Sequence, residues 1–294
     1  TLTLSHNKNS VKALTGEAVQ LYEAKFGFNQ NTHRIAVGEP LGQFYGYITE
    51  GLYQVDDFNY DASTQTYTLK DGVPYHGDKG QIRPGMWKFK NLTGDDNVID
   101  ENDKTVIGNA QPKFYGGLNN SFTYKGFDLS IFLTFSYGNE VLNATKLVTS
   151  KVGSLNYNAL DVMNSSPRWM TINSDGQKVT DPGELAALNV GKTVAAYHDA
   201  QQGDNYIHSW AVEDASYLKL SNVTLGYTFP KNLIARVGLK NLRLYATGNN
   251  LLTWTKYSGF DPEVSTMKSG LTPGVDFGAY PLSRSFIFGL NVAF

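Results

Sequence analysis

An acidic stretch in the first half of the chain is the best candidate for metal chemistry. It reads NLTGDDNVIDENDK and carries oxygen-bearing side chains at short intervals after a glycine. Carboxylate and amide oxygens in such a loop are the ligands that a hard cation such as Ca²⁺ prefers. A solvated acidic turn is the alternative interpretation. The residues predicted to bind Ca²⁺ are Asp95, Asp96, Asn97, Asp100 and Asp103.

The other polar residues show no catalytic pattern. The five histidines lack the spacing of zinc ligands, and the chain has no cysteine. No serine lies in a nucleophile elbow, and no glycine-rich loop has a phosphate-binding pattern. Glycosidase chemistry needs two carboxylates about 5 to 10 Å apart, and the context singles out no Asp or Glu pair. We therefore expect no enzymatic activity.

Aromatic side chains in the long irregular segments are the best candidates for contact with a ligand or partner. Their flat apolar faces can stack on sugar rings or pack against a lid protein. Packing of the loops on themselves is the alternative for each of them. The candidates are Trp87, Trp169, Tyr197, Tyr206 and Trp210.

Composition limits the classes of protein to which the chain can belong. The net charge is −2 with both signs interspersed, so we expect no binding to nucleic acid. No apolar run approaches the roughly 18 to 20 residues of a membrane-spanning helix, and we expect none. The chain lacks an initiator Met and begins with the strand-like TLTLSHN. We expect it to be part of a longer protein whose signal peptide lies upstream.

Period-two alternation of apolar residues predicts an all-β protein. In GFDLSIFLTFSYG, the side chains of Phe127, Leu129 and Ile131 fall on one face and polar side chains on the other. The preceding KFYGGLNNSFTYK alternates in the same way. Only Lys125 and Gly126 separate the two segments, which predicts an antiparallel hairpin with a two-residue turn.

The sequence predicts about seven strands. The others are TLTLSHN, the segment 38–54, NVTLGYTFP, NLRLYATGNNLLTW and the closing SFIFGLNVAF. Short connections alternate with long ones, and we expect the long ones at about 55–111, 138–215 and 256–280. Short turns at one end and long loops at the other are typical of a bacterial outer-membrane β-barrel.

A soluble all-β sandwich that binds glycans is the alternative. A sandwich core favours Val, Ile and Leu, whereas here Phe and Tyr crowd the strand ends, as at Phe114, Tyr124, Phe135 and Tyr227. Aromatic residues at these levels fit the girdles that lie at membrane interfaces. The pattern therefore favours the barrel.

Several ordered blocks resemble the C-terminal region of the SusC/RagA-type TonB-dependent outer-membrane transporters of Bacteroidetes. They run from residue 38 to residue 294 and include GMWKFKNLTGDDNVIDENDKTVIGNAQPKFYGGLNNSFTYKGFDLSIFLTFSYGN, VEDASYLKLSNVTLGYTFP, NLRLYATGNNLLTWTKYSGFDPEV and GVDFGAYPLSRSFIFGLNVAF. The resemblance implies that residues 1–294 are the C-terminal portion of a 22-stranded transmembrane antiparallel β-barrel. The plug domain of the family has no counterpart here.

The resemblance also implies a function and a location. Members import large nutrients, chiefly oligosaccharides and sometimes peptides, together with a SusD-like surface lipoprotein at the extracellular face. The TonB complex would act through the missing N-terminal part, and the plug and the rest of the barrel would surround this segment. The location implied is the bacterial outer membrane and its lipid, with a periplasmic C-terminus. Phe294 then fits the terminal aromatic residue that barrel assembly recognises.

The acidic stretch departs from the pattern that members of this family often show. Asn91 and Thr93 stand at the first two oxygen-donor positions of that pattern, one extra residue intervenes, and the usual glycine is lost. These departures favour the solvated acidic turn over the Ca²⁺ site.

Overall fold

The computed structural model describes residues 1–16, 19–23, 31–94, 96–150, 160–196, 206–266 and 269–294. These residues are mostly in strands and irregular loops, and among them no helix is long and apolar enough to cross a membrane. The α-helices are α1 (Ala144–Thr149), α2 (Pro182–Leu188) and α3 (Lys231–Ile234). The strands are β1 (Leu2–Ser5), β2 (Val19–Glu23), β3 (Asn31–Ala36), β4 (Gln43–Gly46), β5 (Thr49–Leu52), β6 (Phe58–Asp61), β7 (Thr66–Leu69), β8 (Tyr75–His76), β9 (Trp87–Phe89), β10 (Val98–Ile99), β11 (Thr105–Asn109), β12 (Phe114–Tyr124), β13 (Phe127–Tyr137), β14 (Glu140–Asn143), β15 (Val212–Asp214), β16 (Tyr217–Thr228), β17 (Asn241–Thr255), β18 (Val275–Asp276) and β19 (Ser285–Ala293).

Six strands form one sheet, which we call the wall. Its order is β1-β12-β13-β16-β17-β19, and every neighbouring pair is antiparallel. The predicted hairpin is confirmed, because β12 and β13 pair over their full length. Lys125 and Gly126 have φ angles of 45° and 89°, and a type I′ turn needs positive φ at both central residues.

The segment 38–54, predicted as a single strand, does not belong to the wall. It contains two short strands, β4 and β5, which pair with β3 and β11 and with β9 respectively. Phe44 and Tyr53 in this segment are fully buried, so its apolar residues pack in a core instead of alternating between two environments. The wall therefore has six strands from this chain, one fewer than the sequence predicts.

All long connections leave the wall at one end. The strand bounds place them at 6–113, 138–216 and 256–284, while the opposite end has the turn at 125–126 and the connection at 229–240. The long connections contain the remaining strands, which form small sheets of two to four strands. Their described residues also form four buried apolar clusters, which include Phe89, Leu142, Tyr53 and Tyr257 respectively. We call this part of the molecule the loop core.

Candidate functional site

The register of the wall separates an apolar face from a polar face. Side chains opposite each other in neighbouring strands point to the same side of a sheet. One apolar row, from β13 to β19, consists of Leu129, Leu225, Ala246 and Phe288. The closing strand contributes an uncovered stripe, and Phe286 and Phe288 are 68% and 81% exposed.

The polar face is a ladder of side-chain hydrogen bonds between strands. Thr224 and Thr247 hydroxyls lie 2.8 Å apart, and the Asn222 amide donates to the Asn249 Oδ1 at 2.7 Å. The Asn249 amide in turn donates to Ser285 Oγ at 3.0 Å. These bonds link β16, β17 and β19 on one side of the sheet, so the wall is hydrogen-bonded through its side chains as well as its backbone.

An ion pair crosses β16 on the polar face. Arg243 Nε donates to Asp128 Oδ1 at 3.0 Å although the two residues belong to β17 and β13. The intervening residue is Gly226, and a Cβ atom there would lie 2.5 Å from Arg243 Nη2 and from Asp128 Oδ1. A larger side chain at this position would therefore have to displace the Arg243 and Asp128 side chains from this geometry. The alternation in the sequence places Asp128 on this face but does not identify its partner.

A β-bulge in β16 keeps the apolar side chains on both sides of it on the same face of the wall. Apolar side chains occur at Leu218 and Leu220 and then at Val223, a spacing of three that breaks strict alternation. The register against β13 shifts at this point and leaves Ser221 as the extra residue, which is what a bulge does. Ser221 Oγ hydrogen-bonds Thr134 Oγ1 at 2.7 Å. The bulge returns Leu218 and Leu220 to the apolar face.

A buried charge cluster attaches the third long connection to the wall. Lys219 is 3% exposed, and its Nζ lies 3.7 Å from Asp261 Oδ1 and also contacts Glu263 Oε2. The hydroxyl of Tyr217 donates to the other oxygen of Glu263. A buried lysine needs such partners because an unpaired buried charge is costly. Sequence reasoning missed this cluster, and its only signal was a lysine between two leucines of a strand.

Four of the five aromatic candidates lie in described parts of the loop core. Tyr206 packs edge-on against Tyr47, with ring centroids 5.3 Å apart. Trp210 lies 4.9 Å from Trp87 and also lies under Lys146, whose Nζ is 4.0 Å from the ring centroid. The structure thus brings Trp87, Tyr206 and Trp210 into one aromatic cluster. Tyr197 lies outside the described residues.

Burial restricts what the tryptophans can contact. Trp169 is 1% exposed and packs on the backbone of Gly85, where a Cβ would lie 2.4 Å from the indole ring. Trp87 is also buried. Their ring faces are filled by protein in this conformation, which favours packing of the loops on themselves. Tyr206 and Trp210 are half-buried, and ligand or partner contact stays a prediction for the aromatic candidates.

Asp103 organises the acidic stretch as a turn. Its Oδ1 accepts the backbone N–H groups of Leu92 and Thr93 at 2.6 and 2.8 Å, and its Oδ2 accepts that of Asp100 at 2.8 Å. Burial raises the pKa of the Asp103 carboxyl, but these backbone donors outweigh it and the net pKa is lowered. The carboxylate is therefore held in its charged form by the loop itself.

Asp96 and Asp100 also accept hydrogen bonds from the backbone of the turn. Asp100 Oδ1 accepts from the Asn102 backbone at 2.8 Å, and Asp96 Oδ1 accepts from the Val98 backbone at 3.3 Å. Within the described part of the chain, no group of three or more acidic, histidine or cysteine side chains is arranged to hold a metal ion. Asp95 lies outside that part. Ca²⁺ binding stays a prediction.

Three histidines, His33, His76 and His208, are buried in the loop core, and burial keeps His33 and His208 in the neutral form. Burial lowers the pKa of His208 to about 3, and the charge of Lys146 adds to the shift. Burial also lowers the pKa of His33 to about 4, against a hydrogen bond with the Pro273 carbonyl at 2.9 Å that raises it. Both rings therefore act as aromatic core residues and not as cations.

The chain is similar to outer-membrane receptors over nearly its whole length. It is 33% identical over 297 residues to the TonB-dependent receptor P3 of Formosa agariphila, a match that covers 99% of this chain and 26% of the relative. It is 29% identical over 224 residues to the TonB-dependent receptor SusC of Bacteroides thetaiotaomicron, with coverage of 74% and 18%. No protein-family model matches the chain.

A solved structure shares the fold. The structure of the RagAB peptide transporter superposes with a TM-score of 0.63 at 20% sequence identity, covering 99% of this chain and 26% of that chain. At this identity the likeness shows the fold alone. The chain spans about a quarter of the length of the first of these relatives and of the solved chain.

Proposed function

Because this chain belongs to the TonB-dependent receptors, we propose that it is of the SusC/RagA type and forms six neighbouring strands of an outer-membrane β-barrel that imports nutrients. The polar face would line the lumen and the apolar face would contact lipid. The loop core would form part of the extracellular mouth.

The observation that carries this proposal is that the wall has one apolar face and one polar face. Its apolar side chains remain exposed, as Phe288 at 81% shows, while the opposite face is a hydrogen-bonded polar ladder. A soluble sandwich buries its apolar face against a second sheet, so the glycan-binding module is the weaker candidate. A barrel wall in lipid has this arrangement, because the hydrocarbon core solvates apolar side chains and the lumen is polar.

The transport cycle belongs to the full-length receptor. We propose oligosaccharides as cargo, with peptides as the second class because the structural neighbour is a peptide transporter. A SusD-like lipoprotein would dock on the extracellular mouth. The TonB complex would act through parts of the receptor beyond the matched quarter. No residue of this chain is assigned a catalytic role, in keeping with relatives that are receptors and transporters.

Site-specific labelling of the full-length receptor tests the orientation. Ser174 lies exposed in a turn of the second long connection, and Lys125 lies exposed in the β12–β13 turn. In intact cells, Ser174→Cys should react with a membrane-impermeant maleimide and Lys125→Cys should react only after the outer membrane is opened. The receptor should also fractionate with outer membranes. The reverse labelling pattern, or a receptor found in the soluble fraction, would contradict the proposal.

A further inference from the structure

The short-turn end of the wall carries an exposed group of basic side chains. The turn at 125–126 and the connection at 229–240 hold no Asp or Glu. They do hold four exposed cationic residues, which we call the basic rim: Lys125, Lys231, Arg236 and Lys240.

The two connections lie side by side. The Thr228 N–H donates to the Gly126 carbonyl at 2.7 Å, which joins the start of the longer connection to the β12–β13 turn. Lys240 donates its backbone N–H to the Ala293 carbonyl at 2.8 Å, which joins the other end to β19. The basic rim therefore extends along the short-turn end of the wall from β12 to β19.

None of these cations is neutralised within the described part of the chain, where no carboxylate lies within ion-pair distance of any of them. The neighbouring carboxylate, Asp128, is held by Arg243. At the loop end, in contrast, lysines form ion pairs such as Lys79 with Asp71 and Lys146 with Glu213. The short-turn end thus carries a local excess of positive charge although the chain as a whole has a net charge of −2.

Exposed apolar side chains adjoin the basic rim. In α3 and the turn after it, Ile234 is buried against the wall, whereas Leu233 and Val237 are 54% and 71% exposed. Aromatic rings continue this surface onto the apolar face of the wall, where Phe127 and Tyr227 have centroids 4.5 Å apart. Cations next to aromatic and aliphatic side chains at the margin of an apolar face are the arrangement that a lipid headgroup region recognises.

We propose that the basic rim binds the phosphate groups of anionic phospholipids in the membrane leaflet that surrounds the short turns. This inference rests on the proposed function, since it requires the apolar face to be embedded in lipid. The exposed Leu233 and Val237 would lie among the acyl chains next to the headgroups, and the basic rim would contact the phosphates of those headgroups. Basic residues near a membrane surface each strengthen attraction to anionic lipid.

Lipid binding by the purified full-length receptor in detergent tests the proposal. The probes are phosphatidylglycerol and phosphatidylcholine of the same acyl chains, with bound lipid counted by native mass spectrometry. Wild-type receptor should prefer phosphatidylglycerol. The variant Lys231→Gln/Arg236→Gln/Lys240→Gln should lose that preference, with affinity for phosphatidylglycerol falling about tenfold or more. The matched control, Lys70→Gln/Lys90→Gln/Lys178→Gln, removes three exposed cations of the loop core and should keep the preference.

The outcomes separate the inference from the function on which it rests. A heat-modifiable receptor in outer membranes that binds both lipids equally would overturn the inference alone, and so would a preference lost only in the loop-core control. A receptor that is soluble without detergent would overturn the proposed function. If the triple variant fails to fold, a second measurement uses wild-type receptor while NaCl is raised from 50 to 500 mM. Salt should weaken the preference for phosphatidylglycerol, and an unchanged preference would contradict binding by the basic rim. If the triple variant keeps its preference for phosphatidylglycerol but no longer binds a periplasmic protein, the basic rim would be a binding site for that protein and not for lipid.

Discussion

Buried histidine is the feature of single residues with the clearest consequence for stability. His33 packs edge-on against Phe44 with ring centroids 5.1 Å apart, and its two ring nitrogens contact Thr32 Oγ1 at 2.8 Å and the Pro273 carbonyl at 2.9 Å. The last contact ties the first long connection to the third. Since burial lowers the pKa of His33 to about 4, an unfolded chain binds a proton there at a higher pH than the folded one.

Acidification should therefore loosen the loop core through His33. Its contribution is intact above the unfolded pKa of about 6.5 and is lost as the pH falls towards 4, by up to roughly 3 kcal/mol at 1.36 kcal/mol per pKa unit. After correction for the intrinsic pH dependence of amide exchange, the protection of residues 31–36 and 269–276 in the full-length receptor should decrease between pH 6.5 and 4.5. In the His33→Gln variant the same interval should produce a smaller change. Equal pH dependence in both proteins would show that other groups control the opening.

Two structural elements depend on polar contacts that neighbouring strands supply. The first is the third long connection, which the Lys219 cluster fastens to β16 through Asp261 and Glu263. The second is the wall, in which the bulge at Ser221 sets which side chains of β16 lie on the apolar face.

Removing the lysine should release the third connection. Lys219→Met leaves Asp261 and Glu263 without a cation, and we expect a local destabilisation of roughly 1 to 3 kcal/mol, below the value for a fully buried pair because Glu263 is partly exposed. Limited proteolysis within 256–284 of the full-length receptor should become faster. Adding Asp261→Asn and Glu263→Gln should restore part of the resistance. Cleavage at the wild-type rate in Lys219→Met would show that packing alone holds the connection.

The two faces of β13 should respond differently to a charge. Ile131 lies opposite Val223 on the apolar face, whereas Ser130 lies on the polar face and donates to Asn119 Oδ1 at 3.3 Å. A charge near the bilayer midplane costs about 2 to 4 kcal/mol in a barrel, so Ile131→Arg should reduce the amount of heat-modifiable receptor far more than Ser130→Arg. Similar losses in both variants would mean that the apolar face does not meet lipid.

At the scale of the whole molecule, the wall is an open ribbon. In the described part of the chain, the edge strands β1 and β19 each pair with a single neighbour. Strands lie about 4.8 Å apart, and unpaired backbone groups in lipid cost several kcal/mol each. The chain matches about a quarter of the length of its relatives. We therefore expect further strands of the full-length receptor to pair with both edges of the wall.

The isolated segment should therefore not insert as a barrel. Expressed alone with a signal peptide, Thr1 to Phe294 should yield no heat-modifiable, protease-resistant species. Co-expression with the rest of the receptor should restore one if the two parts can pair. A stable closed pore from the segment alone in conductance measurements would contradict this. A monodisperse soluble monomer in plain buffer would contradict it in favour of the glycan-binding module.

Alternation in the amino-acid sequence was enough to predict several strands of the wall. β12, β13 and β19 follow from period-two patterns, and the β12–β13 hairpin follows from Lys125 and Gly126, because these features are local and each strand meets two different environments. The same alternation indicated which residues share a face. It also placed the short and long connections at opposite ends, since antiparallel neighbours must reverse direction.

The fold of the long connections and the contacts of their side chains depend on tertiary packing, which the sequence patterns did not predict. Segment 38–54 was predicted as one wall strand, but glycine dilutes its pattern and burial on both sides removes the alternation on which the prediction depended. Lys219 and Glu263 are 44 positions apart, and Asp128 and Arg243, which pair across Gly226, are 115 positions apart. Trp169 is likewise buried by residues that are distant from it in the chain. Local patterns carry no information about such partners, because the partner is chosen by packing and charge once the strands and loops have come together.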